Sequence, residues 1–446
     1  MMTPGNAAEF EAVEALFTDV ASLGIRPGLE RIERLLHLLG NPEATFPAIH
    51  VVGTNGKGST CAFLDSVLRA AGYRTAFYSS PHLESPGERL LIDGSPLPAG
   101  SWMRAAERAV ALLKDDAQLA SDPPSYFELV TACAFFLAAE EQVDVAVVEA
   151  GLGGRLDATN LLKNVLCTLI TSISMDHAEY LGDSLEKIAG EKFAVVRLEK
   201  PACFLGDNEN LISLFRQQCL KVGAQPYVAS WDVVLSNMAV SETGSLFDFK
   251  ADGLELKRLR IGLLGRHQLA NASLALLALS RLQKEFPALK EEPLREGMET
   301  ARWPGRLERI SDKPCVLLDG GHNLDGVIKL RDCLEELWGS QGKRVGLVYG
   351  VMRDKDYSSC LEALSVLKPA FYAVSVPEMH RALPASDLAQ AAAGCSWRNF
   401  PESFDSPLEA VARAKSENDV VVICGSLYLI GWVRPKLRSL LKESGS

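Results

Sequence analysis

Apolar positions along this chain recur with two different periods, and the alternation between those periods lays out the architecture. Short apolar runs at 48–52, 74–78, 144–148 and 165–173 have the length and composition of buried strands. Between them, residues 59–71 place Phe63, Leu64, Val67, Leu68 and Ala71 at the spacing of one helical face, with Ser59 or Thr60 near the N-cap and Gly72 as the stop. Residues 102–113, 126–139 and 185–196 read as further helices, the last capped by Ser184. Two amphipathic helices, 9–17 and 28–39, precede the first strand. Strands alternating with helices predict a doubly wound, mostly parallel sheet with both faces covered.

Between 200 and 260 the pattern changes. Asp207, Asn208 and Asn210 suggest turns, and 227–259 shows short alternating stretches separated by Glu242-Thr-Gly-Ser, as in hairpins. Helical spacing returns at 267–286. Arg302-Trp-Pro-Gly-Arg306 then reads as a boundary, because Pro304 and Gly305 end the helix. Beyond it, strands at 315–318, 345–348, 371–376 and 420–424 alternate with helical segments, which predicts a second, smaller α/β domain. The expected division is therefore 1–301 and 302–446.

Composition narrows the partners. The chain has 446 residues, 47% hydrophobic and 23% charged, ample for two cores. A formal net charge of −11 and a pI near 5.3 argue against nucleic acid or an anionic membrane as the main partner, since either needs a concentrated positive field. Ten cysteines without a CxxC pair or a Cys/His cluster indicate neither a disulfide framework nor structural zinc. The longest apolar run, 129–139, is too short to span a bilayer, and no basic stretch precedes an apolar run at the N-terminus, so the expected location is the cytoplasm.

The chemistry begins at His50-Val-Val-Gly-Thr-Asn-Gly-Lys-Gly-Ser-Thr60, where a strand runs through three glycines into a helix. Such a loop aims backbone N–H groups and the positive end of a helix dipole at one point, a cradle for phosphate. Lys57 has the reach for the terminal phosphates, and the Ser59 or Thr60 hydroxyl suits a magnesium ion. Gly58 separates Lys57 from Ser59, so the spelling departs from the usual Gly-Lys-Ser/Thr. In a parallel sheet the ligand sits beyond the carboxyl ends of the strands. The other three predicted strands end at Ser79-Ser80, Glu149 and Asp176-His177, gathering a hydroxyl, a carboxylate and an imidazole suited to Mg²⁺ beside the cradle.

These motifs, with Ser79-Ser-Pro-His82, Glu88-Arg89, Glu149-Ala-Gly-Leu-Gly-Gly-Arg-Leu-Asp-Ala-Thr-Asn160, Met175-Asp-His177, Leu181-Gly182, Glu191-Lys192, Asn271, Pro304-Gly-Arg306 and Asp319-Gly-Gly-His-Asn323, resemble the folylpolyglutamate synthase/dihydrofolate synthase family of the Mur ligase superfamily. The resemblance covers nearly the whole chain in order. It implies a P-loop ATPase-like N-terminal domain and a Rossmann-like C-terminal domain. It implies ATP contacts at Asn55, Gly56, Lys57, Gly58, Ser59, Asn271, Arg306 and Asp319, and magnesium ligands at Ser80, Glu149 and His177. Lys57, Lys192 and His322 would serve catalysis, Lys192 matching a lysine that carries a carbamate in this family. Tyr126, Phe127, Glu128, Arg155, Leu156 and Asp157 resemble contacts to the pterin or folate. Two departures stand out: Gly321 where the family usually has alanine, and Phe193-Ala194 where it usually has Ala-Gly.

The implied activity is ATP-dependent joining of L-glutamate to dihydropteroate or to reduced folates through an acyl phosphate, in a monomer whose two domains close on the substrates. One rival is a cell-wall Mur ligase, against which Gly58 and the Ser-Pro-His-Leu loop count. The other is a regulatory protein that binds ATP without ligation, against which Glu149, His177, Lys192 and Asp319 count together.

Overall fold

The computed structural model describes residues 4–22, 24 and 26–443. The described chain forms two compact units. The first comprises Met1–Met238, Phe247–Ile261 and Ala270–Ala301, and the second Ala239–Leu246, Gly262–Leu269 and Arg302–Ser446.

The first unit is built on eight strands: β1 (Ala48–Val52), β2 (Thr75–Tyr78), β3 (Leu90–Ile92), β4 (Ser95–Pro96), β5 (Val145–Glu149), β6 (Val165–Ile170), β7 (Pro201–Phe204) and β8 (Gln225–Val228). They lie in the order β4-β3-β2-β5-β1-β6-β7-β8. From β2 to β8 every pairing is parallel, while β3 and β4 form an antiparallel edge. Every residue of β1, β2 and β5 is buried, as a sheet covered by helices on both faces requires.

Two local expectations need correcting. The helix after β1 is Lys57–Ala70, and its N-cap is Gly56, not Ser59 or Thr60. Gly56 adopts φ 90°, a conformation open to glycine, so the helix starts earlier than side-chain capping signals suggest. Asn208, read from sequence as a turn residue, instead caps the helix Glu209–Val222, its Oδ1 accepting the Leu211 N–H at 3.2 Å. The α/β alternation thus continues through β7 and β8, and the change of pattern begins only with β9 (Val233–Ser241), β10 (Gly244–Ala251) and β11 (Leu254–Ile261), a three-stranded sheet.

The second unit carries β12 (Glu308–Asp312), β13 (Cys315–Leu318), β14 (Val345–Tyr349), β15 (Ala370–Val374), β16 (Glu402–Phe404) and β17 (Val420–Cys424) in the order β12-β13-β17-β14-β15-β16. Only β12 runs antiparallel. Its core gathers Leu317, Leu347, Phe371 and Val422 with Leu330, Leu334 and Trp338 of the helix Leu324–Trp338. The two strands that sequence reading missed here, β12 and β16, are the edges, where fewer residues are buried and the apolar signal is weak. Among the described residues no helix is long and apolar enough to cross a membrane.

Candidate active site

β1 delivers the chain into the glycine loop at the centre of the first unit's sheet, between β5 and β6. Two glycines shape the loop by close approach. A Cβ on Gly53 would lie 1.8 Å from Thr171 Oγ1, and one on Gly56 would lie 2.4 Å from Asn271 Oδ1. Asn271, buried on the helix His267–Arg281, is thereby packed against the loop that leads into Lys57. Gly58 and Ser59 occupy the first helical turn, whose first internal bond runs from Thr60 N–H to Gly56 carbonyl at 2.9 Å.

The loop is braced from β6 by residues that sequence reading did not single out. Ser172 Oγ donates to the Asn55 carbonyl at 3.1 Å, and Thr54 exchanges hydrogen bonds with Ser174, donating to its carbonyl at 3.2 Å and accepting its N–H at 3.1 Å. Their only sequence signal was position, immediately beyond an apolar strand.

Lys57 Nζ folds back to donate to the carbonyls of Gly53 and Thr54 at 3.2 and 3.1 Å. Lys192, buried on the helix Leu185–Phe193, donates to the same Gly53 carbonyl at 2.8 Å. Burial, aided by the neighbouring Lys57 charge and opposed by Asp157 and Asp176, brings the Lys192 amine down to about 7. Glu191 pairs with Arg155 at 3.0 Å rather than with Lys192. Phe193 packs against Phe204 and Phe215, ring centres 5.3 and 5.4 Å away. That aromatic anchor pins the helix while Lys192 reaches the loop.

Glu149 is the last residue of β5 and is buried beside Val51 in register. Its charge reaches the helix Lys57–Ala70, where it helps burial push the Cys61 thiol up. Ser80 follows β2, and His177, more exposed, adopts φ 51° at the start of the short helix Ala178–Leu181, beyond β6. β2, β5, β1 and β6 are consecutive in the sheet, so all three residues issue from the carboxyl edge that carries the glycine loop. Among the described residues no group of three or more His, Cys, Asp or Glu suffices alone to hold a metal ion. The mixed set of carboxylate, hydroxyl and imidazole nevertheless fits a divalent cation that completes its sphere with water and phosphate oxygens.

The residues expected on the pterin side divide by role. Tyr126 donates through its hydroxyl to Glu14 at 3.0 Å and lies beneath the Arg89 guanidinium, 5.4 Å from the ring centre. Phe127 packs its ring end against Gly151, within the 151–157 loop, and Leu156 is exposed. Glu128 forms a capping box with Ser125 and pairs with buried Arg31 at 3.3 Å, which fixes the helix Tyr126–Glu140. Asp157 is buried and accepts the Leu152 N–H at 2.7 Å and the Thr159 N–H at 3.0 Å, shaping the loop from within.

In the second unit, Asp319 at the end of β13 accepts the N–H groups of Leu307 (3.0 Å) and Gly321 (2.9 Å). Burial pushes its carboxyl up, against the pull of Arg306 and those two N–H groups. A Cβ on Gly320 would lie 2.5 Å from the Arg306 guanidinium, and His322 Nδ1 lies 2.9 Å from the Gly320 carbonyl. Glu308 anchors this turn: its carboxylate receives the Gly305 N–H at 2.9 Å and Arg434 Nε at 2.8 Å.

Comparison with known proteins identifies the family. Residues 51–279 match the Mur ligase middle domain, and residues 305–427 the Mur ligase glutamate ligase domain. The chain is 35% identical over 418 residues to the dihydrofolate synthase/folylpolyglutamate synthase of Bacillus subtilis, covering 93% of this chain and 96% of that one. It is 32% identical over 433 residues to the enzyme of the same name from Escherichia coli, covering 97% and 96%. Among solved structures, Mycobacterium tuberculosis folylpolyglutamate synthase complexed with ADP superposes with a TM-score of 0.87 at 31% identity, covering 96% of this chain and 98% of that one. An FPGS–AMPPCP–folate complex superposes with a TM-score of 0.84 at 29% identity, covering 97% and 99%. With its glycine loop on the central strand, and with both Mur ligase domains matched in order, this chain belongs to the folylpolyglutamate synthase/dihydrofolate synthase family of Mur ligases.

Proposed function

We propose that the protein joins the amino group of L-glutamate to the carboxylate of a pterin-bearing acceptor, dihydropteroate or a reduced folate, as a monomeric cytoplasmic enzyme using ATP. The observation that carries the reading is the convergence of Lys57 and Lys192 on the Gly53 carbonyl of a glycine loop opening at the carboxyl edge of the sheet. A carboxylate is a poor acylating agent, so its oxygen attacks the γ-phosphorus of ATP and ADP departs. The glutamate nitrogen then attacks the acyl carbon, phosphate leaves, and the nitrogen loses a proton.

Asn55, Gly56, Lys57, Gly58 and Ser59 cradle the phosphates through N–H groups and the Lys57 ammonium, which neutralises charge that repels the incoming carboxylate. Asn271 holds the loop at Gly56 and contacts the nucleotide, and Arg306 and Asp319 are further candidate ATP contacts. Ser80, Glu149 and His177 would hold Mg²⁺, which when bound would supply Lewis-acid stabilisation of the transferred phosphoryl group. Lys192, with an amine near 7, has the neutral fraction that carbamate formation requires and would then present an anion in place of a cation. His322 assists catalysis from the loop after β13. Tyr126, Phe127, Glu128, Arg155, Leu156 and Asp157 form the pterin side, where Glu128 and Asp157 act by holding backbone.

The test is phosphate release by the purified chain with MgATP, L-glutamate and either dihydropteroate or tetrahydrofolate. Turnover with at least one acceptor is expected, and the ratio of kcat/KM values ranks them. A folded, magnesium-supplied sample that turns over neither would overturn the reading.

A further inference from the structure

His50 stands in the middle of β1, fully buried, in a strand otherwise made of Ala48, Ile49, Val51 and Val52. An imidazole there costs desolvation unless it does something an apolar residue cannot. Its Nε2 lies 2.8 Å from Thr159 Oγ1, which lies 2.5 Å from Asp157 Oδ1. Asp157 Oδ2 in turn accepts the Leu152 N–H at 2.7 Å. Proton bookkeeping orients the chain. Burial pushes the Asp157 carboxyl up, against the pull of the Leu152, Thr159 and Gly151 N–H groups and the Thr159 hydroxyl; as a carboxylate it accepts the single Thr159 hydroxyl proton, and Thr159 Oγ1 meets His50 as an acceptor. Nε2 therefore carries the imidazole proton. Nδ1, which finds no hydrogen-bond partner among the described residues, carries a bare lone pair rather than an unmet donor. Burial and the nearby Arg197 guanidinium bring the ring down to about 3, so this neutral tautomer persists across the physiological range.

We propose that His50 is a positioning residue for the acceptor substrate: through Thr159 it fixes Asp157, and Asp157 fixes the 151–157 loop that receives the pterin-bearing carboxylate. The proposal rests on that loop being the acceptor side, as argued above. The same strand leads into Gly53 and the phosphate cradle, so β1 references the nucleotide loop and the acceptor loop to one rigid element. None of the relay's hydrogen bonds touches residues 53–59, and Thr159→Val keeps the Asp157 charge that bears on Lys192, so loss of the hydroxyl acts first on the acceptor loop.

Thr159→Val removes the hydroxyl link at nearly constant volume, and His50→Phe removes the donor while filling the strand position. Two readouts separate the relay from general damage. By hydrogen exchange, the Leu152 amide in Thr159→Val should exchange about tenfold faster than in wild type. In steady state, KM for the pterin acceptor should rise about tenfold, the scale of one hydrogen bond to a charged group, while KM for MgATP stays within about twofold. Thr159→Ser, which keeps the hydroxyl, should restore both. His50→Phe should reproduce both changes, and unchanged Leu152 exchange in Thr159→Val or in His50→Phe, or an equal rise in both KM values, would sink the proposal. A wild-type enzyme with no ligase turnover would overturn the assigned reaction instead, and the Leu152 exchange rate would then decide the relay by itself.

Discussion

Lys57 and Lys192 direct their ammonium groups at one acceptor, the Gly53 carbonyl oxygen, from 3.2 and 2.8 Å. Two lysines 135 positions apart in the chain meet there because β1 turns into its loop beside the helix Leu185–Phe193. One backbone carbonyl thus partners both side chains.

Replacing Lys57 with Ala removes the cation aimed at the terminal phosphates and leaves the loop's glycines and its bracing by Ser172 intact. Ligation should fall by about a hundredfold or more, the scale of losing one group that stabilises transition-state charge. The thermal midpoint should move little. Phosphate release beside a melting curve checks both; wild-type turnover would contradict the role given to Lys57.

Lys192 should leave a signature in stability against pH. Its folded pKa of about 7 lies below the ordinary lysine value of 10.5, so between those values the unfolded chain holds the proton and the folded chain does not. Its contribution is fully present above about 10.5 and is lost as pH falls through about 7. Lys192→Met abolishes this dependence. The stability of Lys192→Met relative to wild type should therefore be greatest near pH 6 and decline toward pH 10. Urea denaturation of both proteins across that range measures the difference, and a flat difference would contradict the buried-amine assignment.

Gly56→Ala brings a Cβ to 2.4 Å from Asn271 Oδ1 at a residue with φ 90°. The substitution should cost about 2 kcal/mol from strain and crowding together. In Gly56→Ala/Asn271→Ala the crowding is relieved, so the double variant should lose less than the sum of the singles. Denaturant midpoints of the four proteins test this, and strict additivity would show that the side-chain contact is energetically silent.

Arg434 and Arg438 both hold Glu308, at 2.8 Å each, and Glu308 also takes the Gly305 N–H at 2.9 Å. Arg434→Met leaves a poorly hydrated carboxylate with one guanidinium instead of two. Stability should fall by about 2–3 kcal/mol, at the lower end for breaking a buried pair because Arg438 remains. Since Gly305 precedes Arg306, KM for MgATP should rise as well, and Glu308→Gln should move both quantities in the same direction. Equilibrium unfolding combined with nucleotide titration is the measurement.

How much was legible in the sequence depended on whether the signal was local. β1, β13 and β17 occupy the residues their apolar runs indicated, because a strand buried on both faces must be apolar throughout. The glycine loop was legible too, since close backbone approach demands glycine. The edge strands β12 and β16 were not, because half-exposed positions carry polar residues. The helix Glu209–Val222 was hidden behind Asn208, a residue type that serves turns and N-caps equally well.

The sequence by itself determined the two α/β modules, the phosphate loop between a strand and a helix, and the residue types gathered at the strand ends. These are local patterns, or adjacencies that parallel-sheet topology enforces. Only the tertiary structure decided which groups share partners: Lys192 with the Gly53 carbonyl, Asn271 with Gly56, Glu308 with Arg434, and His50 with Asp157 through Thr159. Each of these links residues more than 100 positions apart. Such pairings depend on three-dimensional proximity and on the low dielectric that makes an unpaired polar group costly, and neither is written in the spacing of residues along the chain.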